Sequence, residues 1–480
     1  MKRLNTRMPL AALLFAYAML CCGPLSGQVE VARQLLPDAP KVTLVALVQD
    51  TSMRAQQQSG NTLAAPSNTA ASGPHLTKSD AEKLALKNNP QVSVARLLAL
   101  AQHQVVRETR SAELPTATAS ITAEDAEDAS RISAGSLTAS RLFTHAGAGG
   151  GFTQLITDFG KTGNLVAASK LQEKAQDAKA RATTEDIVLA TDQAFFNALQ
   201  AQALLNVARQ NVNARLATET QVSELTKNKL KSTLDLSFAD VNLSQARLLL
   251  LDAQSNVDST MAALDAVLGL DHQVTYDLAD SNELIQAPPP DADHLLQLAF
   301  QQRPDLQALA YSQQAAVKFG QAQRDQMRPS ISAAGTAGSV PIRPAAYYLT
   351  NWWGGIGVNM SVPVFNGFLY SAQAKEASIR AQAASEQSRE LRDKVARDVR
   401  AAWLAANTAF QRVTVSEELL KDANLALSLA ETRYQLGLSS IVELSQAQFQ
   451  QTEAAIGSTG ARYQYRLALA TLNYQTGANP

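Results

Sequence analysis

The stretch Glu431-Thr432-Arg433-Tyr434-Gln435-Leu436-Gly437-Leu438-Ser439-Ser440-Ile441-Val442-Glu443-Leu444-Ser445-Gln446-Ala447-Gln448 decides how this chain folds. A long run of helix-forming residues reaches Arg433 and Tyr434, meets Gly437, and resumes at Ile441. Glycine just past a periodic segment, followed by serines able to cap a new helix, predicts a stop and a restart: the tip of a helical hairpin. The same punctuation lies 208 positions earlier (438 − 230), where Leu230 answers Leu438, Ser232 answers Ser440 and Asp235 answers Glu443. Leu236, Ser237 and Ala239 likewise repeat Leu444, Ser445 and Ala447. The chain reads as two copies of one unit.

That spacing of 208 extends upstream to Phe195 with Trp403 (403 − 195) and Asp158 with Asn366, and downstream to Leu264 with Leu472 and Gly269 with Gly477. At the start of each copy, Asn89-Pro90 falls against Arg303-Pro304 and Pro115 against Pro329, both 214 apart (304 − 90), so a six-residue difference (214 − 208) lies between Pro115 and Asp158. The expected organisation is repeat 1 over 77–270, a Pro-rich link over 271–289 and repeat 2 over 290–477. An internal repeat of this length implies pseudo-symmetry.

The N-terminus carries Lys2, Arg3 and Arg7, then an apolar run from Leu10 to Leu20, then small residues around Ser26-Gly27. That order predicts a secretory signal over 1–27, with an apolar run too short to span a membrane as a mature helix. Both cysteines, Cys21 and Cys22, fall inside it. Cleavage after Gly27 leaves neither disulfides nor thiol chemistry; acylation of Cys21 or Cys22 is the alternative, disfavoured because Ala18-Met19-Leu20 lacks the small residue expected before a lipidated cysteine. Residues 28–76 form a mixed Gln-, Ser-, Ala- and Pro-rich leader without sustained period, read as poorly ordered. A formal net charge of −1 over 480 residues offers no basic field for nucleic acid.

Within each copy the expected order is helix, strand hairpin, long helical hairpin. Thr77-Lys78-Ser79-Asp80 predicts a capped helix continuing to about Ser111 with a break at Pro90, and the second copy runs from about Asp291 to Met327. After Pro115, Thr116-Ala117-Thr118-Ala119-Ser120-Ile121-Thr122-Ala123 alternates strictly. Ile331, Ala333, Gly335 and Ala337 alternate after Pro329, and Ile356, Val358, Met360, Val362 and Val364 on the return. These predict strands of about ten residues with one apolar face, their fourth member, roughly Gly147 to Thr157, placed mainly by the repeat. Such strands suit a transmembrane barrel or a soluble two-sided sheet.

Closure favours the barrel. An open edge in lipid leaves backbone groups unsatisfied, and closure takes about eight strands or more. One chain with four cannot close; three copies would supply twelve, with Trp352, Trp353, Tyr347 and Tyr348 placed either as an interfacial girdle or as ordinary loop aromatics. Beyond each hairpin, about Gly163 to Leu230 and Leu369 to Leu436 contain no proline, and some 65 residues of helix reach roughly 100 Å. Leu391, Val395, Val399, Ala402, Ala406, Phe410 and Val413 make one stripe that must pack against other helices. Return helices are expected over Thr233 to Leu268 and Ile441 to Thr476. The fold class is thus mainly α with membrane β, built from duplicated long α-helical hairpins plus β-hairpins.

Nothing in the sequence assembles into a catalytic or cofactor site. His75, His103, His145, His272 and His294 are scattered, with no HExxH, Walker loop or GxSxG elbow. The glycine run 147–151 opens a strand, not a helix, and so lacks phosphate-loop context. Glu124-Asp125-Ala126-Glu127-Asp128 reads as a solvated loop in preference to a metal site. The expectation is a protein that is not an enzyme and holds no cofactor or metal.

From about Leu76 to Gly477 the chain resembles the TolC-type outer membrane efflux proteins. The resemblance is carried by the duplicated order of elements, by Val362-Pro363-Val364-Phe365-Asn366-Gly367 with its looser copy Leu155-Ile156-Thr157-Asp158-Phe159-Gly160, and by Arg433-Tyr434-Gln435-Leu436-Gly437-Leu438 at the second tip. It implies a homotrimer whose twelve-stranded β-barrel in outer membrane lipid continues into a periplasmic α-helical barrel. It also implies a passive duct that opens when a periplasmic adaptor and an inner-membrane pump dock. By resemblance, Tyr434 and Asp235 match the pair that ties neighbouring coiled coils shut, and Ser439 stands where an arginine supplies another gating link. Glu443 matches an acidic residue ringing the entrance, while Gln446 replaces a second acid, which implies a less negative ring. Leu230, Gly437 and Leu438 serve either as plain hairpin turns or also as the surface an adaptor touches. A duct for type I protein secretion shares these features, and an exported coiled-coil spacer without a channel is the reading from another class.

Overall fold

Proline punctuates the start of each repeat. The computed structural model describes residues 75–125, 131–132, 140–141, 144–272, 274, 276–280, 285–343 and 350–478. The signal segment with Cys21 and Cys22, leader residues 28–74, Tyr347, Tyr348 and the run 126–128 lie outside them. Helices α1 (Lys78–Asn88) and α2 (Pro90–Ser111) open the first repeat. The Thr77 hydroxyl caps α1 by accepting from the Asp80 N–H at 3.2 Å, and Asn89 caps α2 by accepting from the Gln91 N–H at 2.9 Å. Pro90 sits at the first position of α2, where a missing N–H costs nothing, so the expected break is a restart.

The long hairpins follow. Helix α3 (Lys161–Lys227, 67 residues) returns as α4 (Thr233–Leu268, 36 residues). The second repeat copies every length: α5 (Ala292–Gln302) has the 11 residues of α1 and α6 (Pro304–Asp325) the 22 of α2. Likewise α7 (Leu369–Gln435) has 67 residues and α8 (Ile441–Thr476) 36. Helices of 67 residues are about 100 Å long. No helix among the described residues is long and apolar enough to cross a membrane.

Strands β2 (Thr116–Glu124), β5 (His145–Thr157), β7 (Ser330–Ile342) and β8 (Trp352–Ser361) form one antiparallel sheet in the order β2-β5-β7-β8. Short strands β3 (Arg131–Ile132) and β4 (Ser140–Arg141) pair with each other between β2 and β5. The register aligns Ala117, Phe152, Gly335 and Ile356 across the four main strands. It therefore puts Ala119, Ile121, Ala148, Ala333, Val358 and Met360 on that same face, and Thr118, Ser120, Thr122, Thr336, Asn359 and Ser361 on the other. Ile356 is 81% and Val358 69% exposed, so the apolar face has no cover among the described residues.

The structure departs from three expectations. The return strand stops at Ser361, since Pro363 has no N–H for a ladder, and Val362 and Val364 continue outside it. Trp352 and Trp353 are the first residues of β8, not loop aromatics, and point to opposite faces; only Trp352 shares the apolar one. Trp353 lies against Gly149 and Gly338, where an added Cβ would meet its ring at 3.0 and 2.6 Å. Finally, the leader's last two residues, His75–Leu76, form β1, which pairs in parallel with β6 (Asp277–Leu278).

Two clusters hold the bases of the hairpins. Phe195, Leu199, Leu264 and Leu268 bury against Ala81, Ala85, Leu76, Tyr276 and Leu278. The predicted stripe supplies the second, in which Val395, Val399, Ala402 and Ala406 pack on Leu295, Leu296, Ala299, Leu306 and Leu472. Burial of each such leucine contributes about 1.5 to 3 kcal/mol. The link between repeats is fastened by side chains: the Trp403 indole donates to the Pro289 carbonyl at 2.8 Å, the Tyr463 hydroxyl to Asp280 at 3.1 Å, and Arg466 pairs with Asp280.

Candidate functional site at the hairpin tips

Both tips turn by the same backbone device. After α7, Gly437 takes φ +75°, its N–H bonds the Tyr434 carbonyl at 3.1 Å, and the Leu438 N–H reaches back to Arg433 at 2.8 Å. After α3, Lys229 takes φ +62°, with its N–H on Thr226 at 2.9 Å and the Leu230 N–H on Leu225 at 2.8 Å. These paired bonds satisfy carbonyls that a helix end leaves open. An added Cβ on Gly437 would meet nothing within 4 Å, so glycine is needed there for its conformation, not for space. Leu230, Leu436 and Leu438 stand exposed at the two ends, at 69, 68 and 67%.

The restart sites bind their own acids. The Ser232 hydroxyl accepts from the Asp235 N–H at 3.1 Å while the Asp235 carboxylate accepts from the Ser232 N–H at 3.2 Å, a complete capping box. In the second tip the Ser440 hydroxyl accepts from the Glu443 N–H at 3.3 Å, and the Glu443 carboxylate pairs with the Arg433 guanidinium at 3.2 Å.

Tyr434 is 4% exposed and packs with Val222, Ala239, Ala430, Ile441, Leu444 and Ala447, a cluster drawn from both hairpins. Its hydroxyl is buried without a hydrogen-bond partner in this chain, as is the Ser439 hydroxyl. Burial, reinforced by the nearby Asp235 carboxylate, pushes the Tyr434 phenol up from its ordinary value. The structure thus brings Asp235 near Tyr434 but spends the carboxylate on its own helix cap, and no Asp235–Tyr434 hydrogen bond forms within one chain.

Two tip residues were missed by sequence reasoning. Arg433, next to Tyr434, neutralises Glu443, and Lys231 sits with its ammonium 4.5 Å from the centre of the Tyr434 ring. The repeat carried the signal for the second, because Lys231 lies 208 positions before Ser439 (439 − 231) and breaks the match there. Further up the hairpins, the buried Arg215 guanidinium donates to Gln448, to Asn211 at 3.1 Å and to Thr452 at 3.5 Å. Burial lowers it to about 10. Among the described residues no group of acids and histidines is placed to hold a metal ion.

The sequence matches the family described as outer membrane efflux protein over residues 82–270 and 295–478. Outer membrane protein TolC of Salmonella enteritidis is 25% identical over 341 residues, which cover 67% of this chain and 68% of that one. Among solved structures, CusC superposes with a TM-score of 0.73 at 19% identity, covering 83% of this chain and 92% of the other. The MtrE outer membrane channel of Neisseria gonorrhoeae, in its open state, does so with a TM-score of 0.71 at 19% identity, over 83% and 88%.

Proposed function

The chain belongs to the outer membrane efflux protein family, and from that membership we propose that three copies close one passive duct through the outer membrane. The observation that carries this reading is the sheet: four strands with one uncovered apolar face, whose outer strands β2 and β8 each pair on one side only among the described residues. In lipid both outer edges must pair, and three such sheets joined edge to edge make a closed barrel of twelve strands. The apolar face would meet lipid and the face of Thr118, Thr336 and Asn359 would line the lumen.

Pseudo-symmetry supports the same assembly in the helical part. Helix α6 packs between α3 and α7, whereas its counterpart α2 packs chiefly on α3. Val94 on α2 is 55% exposed, although its counterpart Ala308 is 2% exposed, and Leu97 and Leu98 are bare as well. The missing neighbour corresponds to α7 of a second copy, which would stand to α2 as α3 stands to α6.

In this reading the long hairpins line a periplasmic helical barrel, and the signal over 1–27 exports the chain. A periplasmic adaptor docks at the exposed tips through Leu230, Gly437 and Leu438, bringing an inner-membrane pump to the mouth. Between the two coiled coils, the buried and unpartnered Tyr434 hydroxyl would donate to the nearby Asp235 carboxylate if that group turned from its helix cap, a charge-assisted bond worth about 1.5 to 3 kcal/mol. Ser439 supplies no cation for a further link. With Glu443 paired to Arg433 and Gln446 uncharged, the entrance carries little negative charge and selects weakly for cations. Single-channel recording of purified protein in a planar bilayer tests the reading. Wild type should conduct rarely, and Tyr434→Phe, which removes only the hydroxyl, should conduct more often. A protein that assembles but never conducts would be a coiled-coil spacer.

A further inference from the structure

Lys231 lies in the loop between α3 and α4, half-buried, with its Nζ 4.5 Å from the centre of the Tyr434 ring. The two residues belong to different hairpins. Because the Tyr434 hydroxyl has no partner in the chain, the ring is fastened there by packing and by the cation on its face. An ammonium over an aromatic face is drawn to the ring quadrupole, more strongly as water is excluded.

The contact can form in one direction only. The counterpart of Lys231 is Ser439, a neutral side chain with a buried hydroxyl that finds no partner. The counterpart of Tyr434 is Thr226 (434 − 208), whose hydroxyl already donates to the Val222 carbonyl at 2.8 Å. The pseudo-equivalent meeting of tips, second hairpin onto first, would therefore place serine against threonine, with neither charge nor ring. Within a chain the two hairpins are clamped at their ends; the pseudo-equivalent junction has no such clamp. Of the other charged groups near these turns, Lys227 pairs with Glu224, Glu443 pairs with Arg433, and Asp235 is held in its capping box.

We propose that Lys231 is a positioning residue of the gate, whose ammonium holds the Tyr434 ring and so fixes the end of the second hairpin against the first in each chain. The inference rests on the duct reading above. It assigns the chain's own lysine, in the first tip loop, a restraining role that the serine at 439 cannot fill.

Single-channel recording of the purified full-length protein, with Lys231→Met and Lys231→Arg beside wild type, tests it. Methionine keeps an apolar stem and removes the charge; arginine keeps a cation able to stack on the ring. Lys231→Met should raise the frequency of spontaneous opening about threefold or more. Lys231→Arg should stay at the wild-type level, a rescue that loss of loop packing would not give. In a Tyr434→Leu background Lys231→Met should add nothing, since one shared contact is already gone. Should Lys231→Met fail to assemble, Lys231→Gln carries the same expectation. A conducting wild type matched by the neutral variants, or an arginine variant as leaky as methionine, overturns the clamp alone. A wild type that never conducts overturns the duct and the clamp with it.

Discussion

Lys229 and Gly437 occupy the same place in two turns 208 positions apart, and both adopt left-handed backbone, at φ +62° and +75°. The other left-handed residues among those described pair at the same spacing: Phe159 with Gly367, Gly160 with Phe368, and Gly269 with Gly477. A lysine in that conformation costs about 1 kcal/mol relative to glycine. Lys229→Gly should therefore slow amide exchange at the first tip about fivefold, and Gly437→Ala should speed it at the second by a similar factor. Equal exchange in wild type and both variants would show that the turns carry no such strain.

Asp192 is 2% exposed, and one of its carboxylate oxygens has no partner, although Lys78 lies 3.0 Å from the other. Burial outweighs that lysine and pushes the carboxyl up to about 6; Glu185, also raised by burial and only partly restrained by Arg303, sits at about 6 as well. A carboxyl that binds its proton more tightly folded than unfolded lets stability fall as pH rises from about 4 to 6, after which the loss is complete. Asp192→Asn should flatten that decline by on the order of 2 to 3 kcal/mol in denaturant titrations across this window. An unchanged slope would remove Asp192 as its source.

Trp352 and Trp353 are neighbours on β8 facing opposite sides of the sheet. In vesicles with Trp403→Phe as background, the fluorescence of Trp352 should be quenched by brominated lipid and that of Trp353 by aqueous acrylamide. The reverse pattern would turn the barrel inside out.

Leu97 is 64% exposed on the α2 face that lacks a neighbour among the described residues. Leu97→Glu should weaken assembly by about 2 kcal/mol per copy, the cost of an unburied leucine, read as dissociation on dilution in detergent. Dissociation identical to wild type would place the contact elsewhere.

The long helices were legible because 65-residue stretches free of proline, punctuated by Gly437 and Ser440, leave the backbone one economical choice. The start of β5 at His145 was not: its glycines carry no side chain to alternate, and only the pairing with β2 and β7 reveals the register. The repeat and the resemblance put Asp235, Tyr434, Ser439 and Glu443 at the hairpin tips but could not say what each side chain touches. Ser232-x-x-Asp235 is itself a capping-box spacing, so a local partner competed for the carboxylate throughout. Arg433 and Lys231 act through contacts across a turn and between hairpins that are 203 residues apart for Lys231 and Tyr434 (434 − 231), and no periodicity reports those.

The mass of the purified protein in mild detergent tests most directly whether one chain supplies a third of a barrel. One species of three chains, with the strand content of four main strands per chain, is the predicted result. A stable monomer retaining that full strand content would contradict it, because its outer strands β2 and β8 would then need no partner.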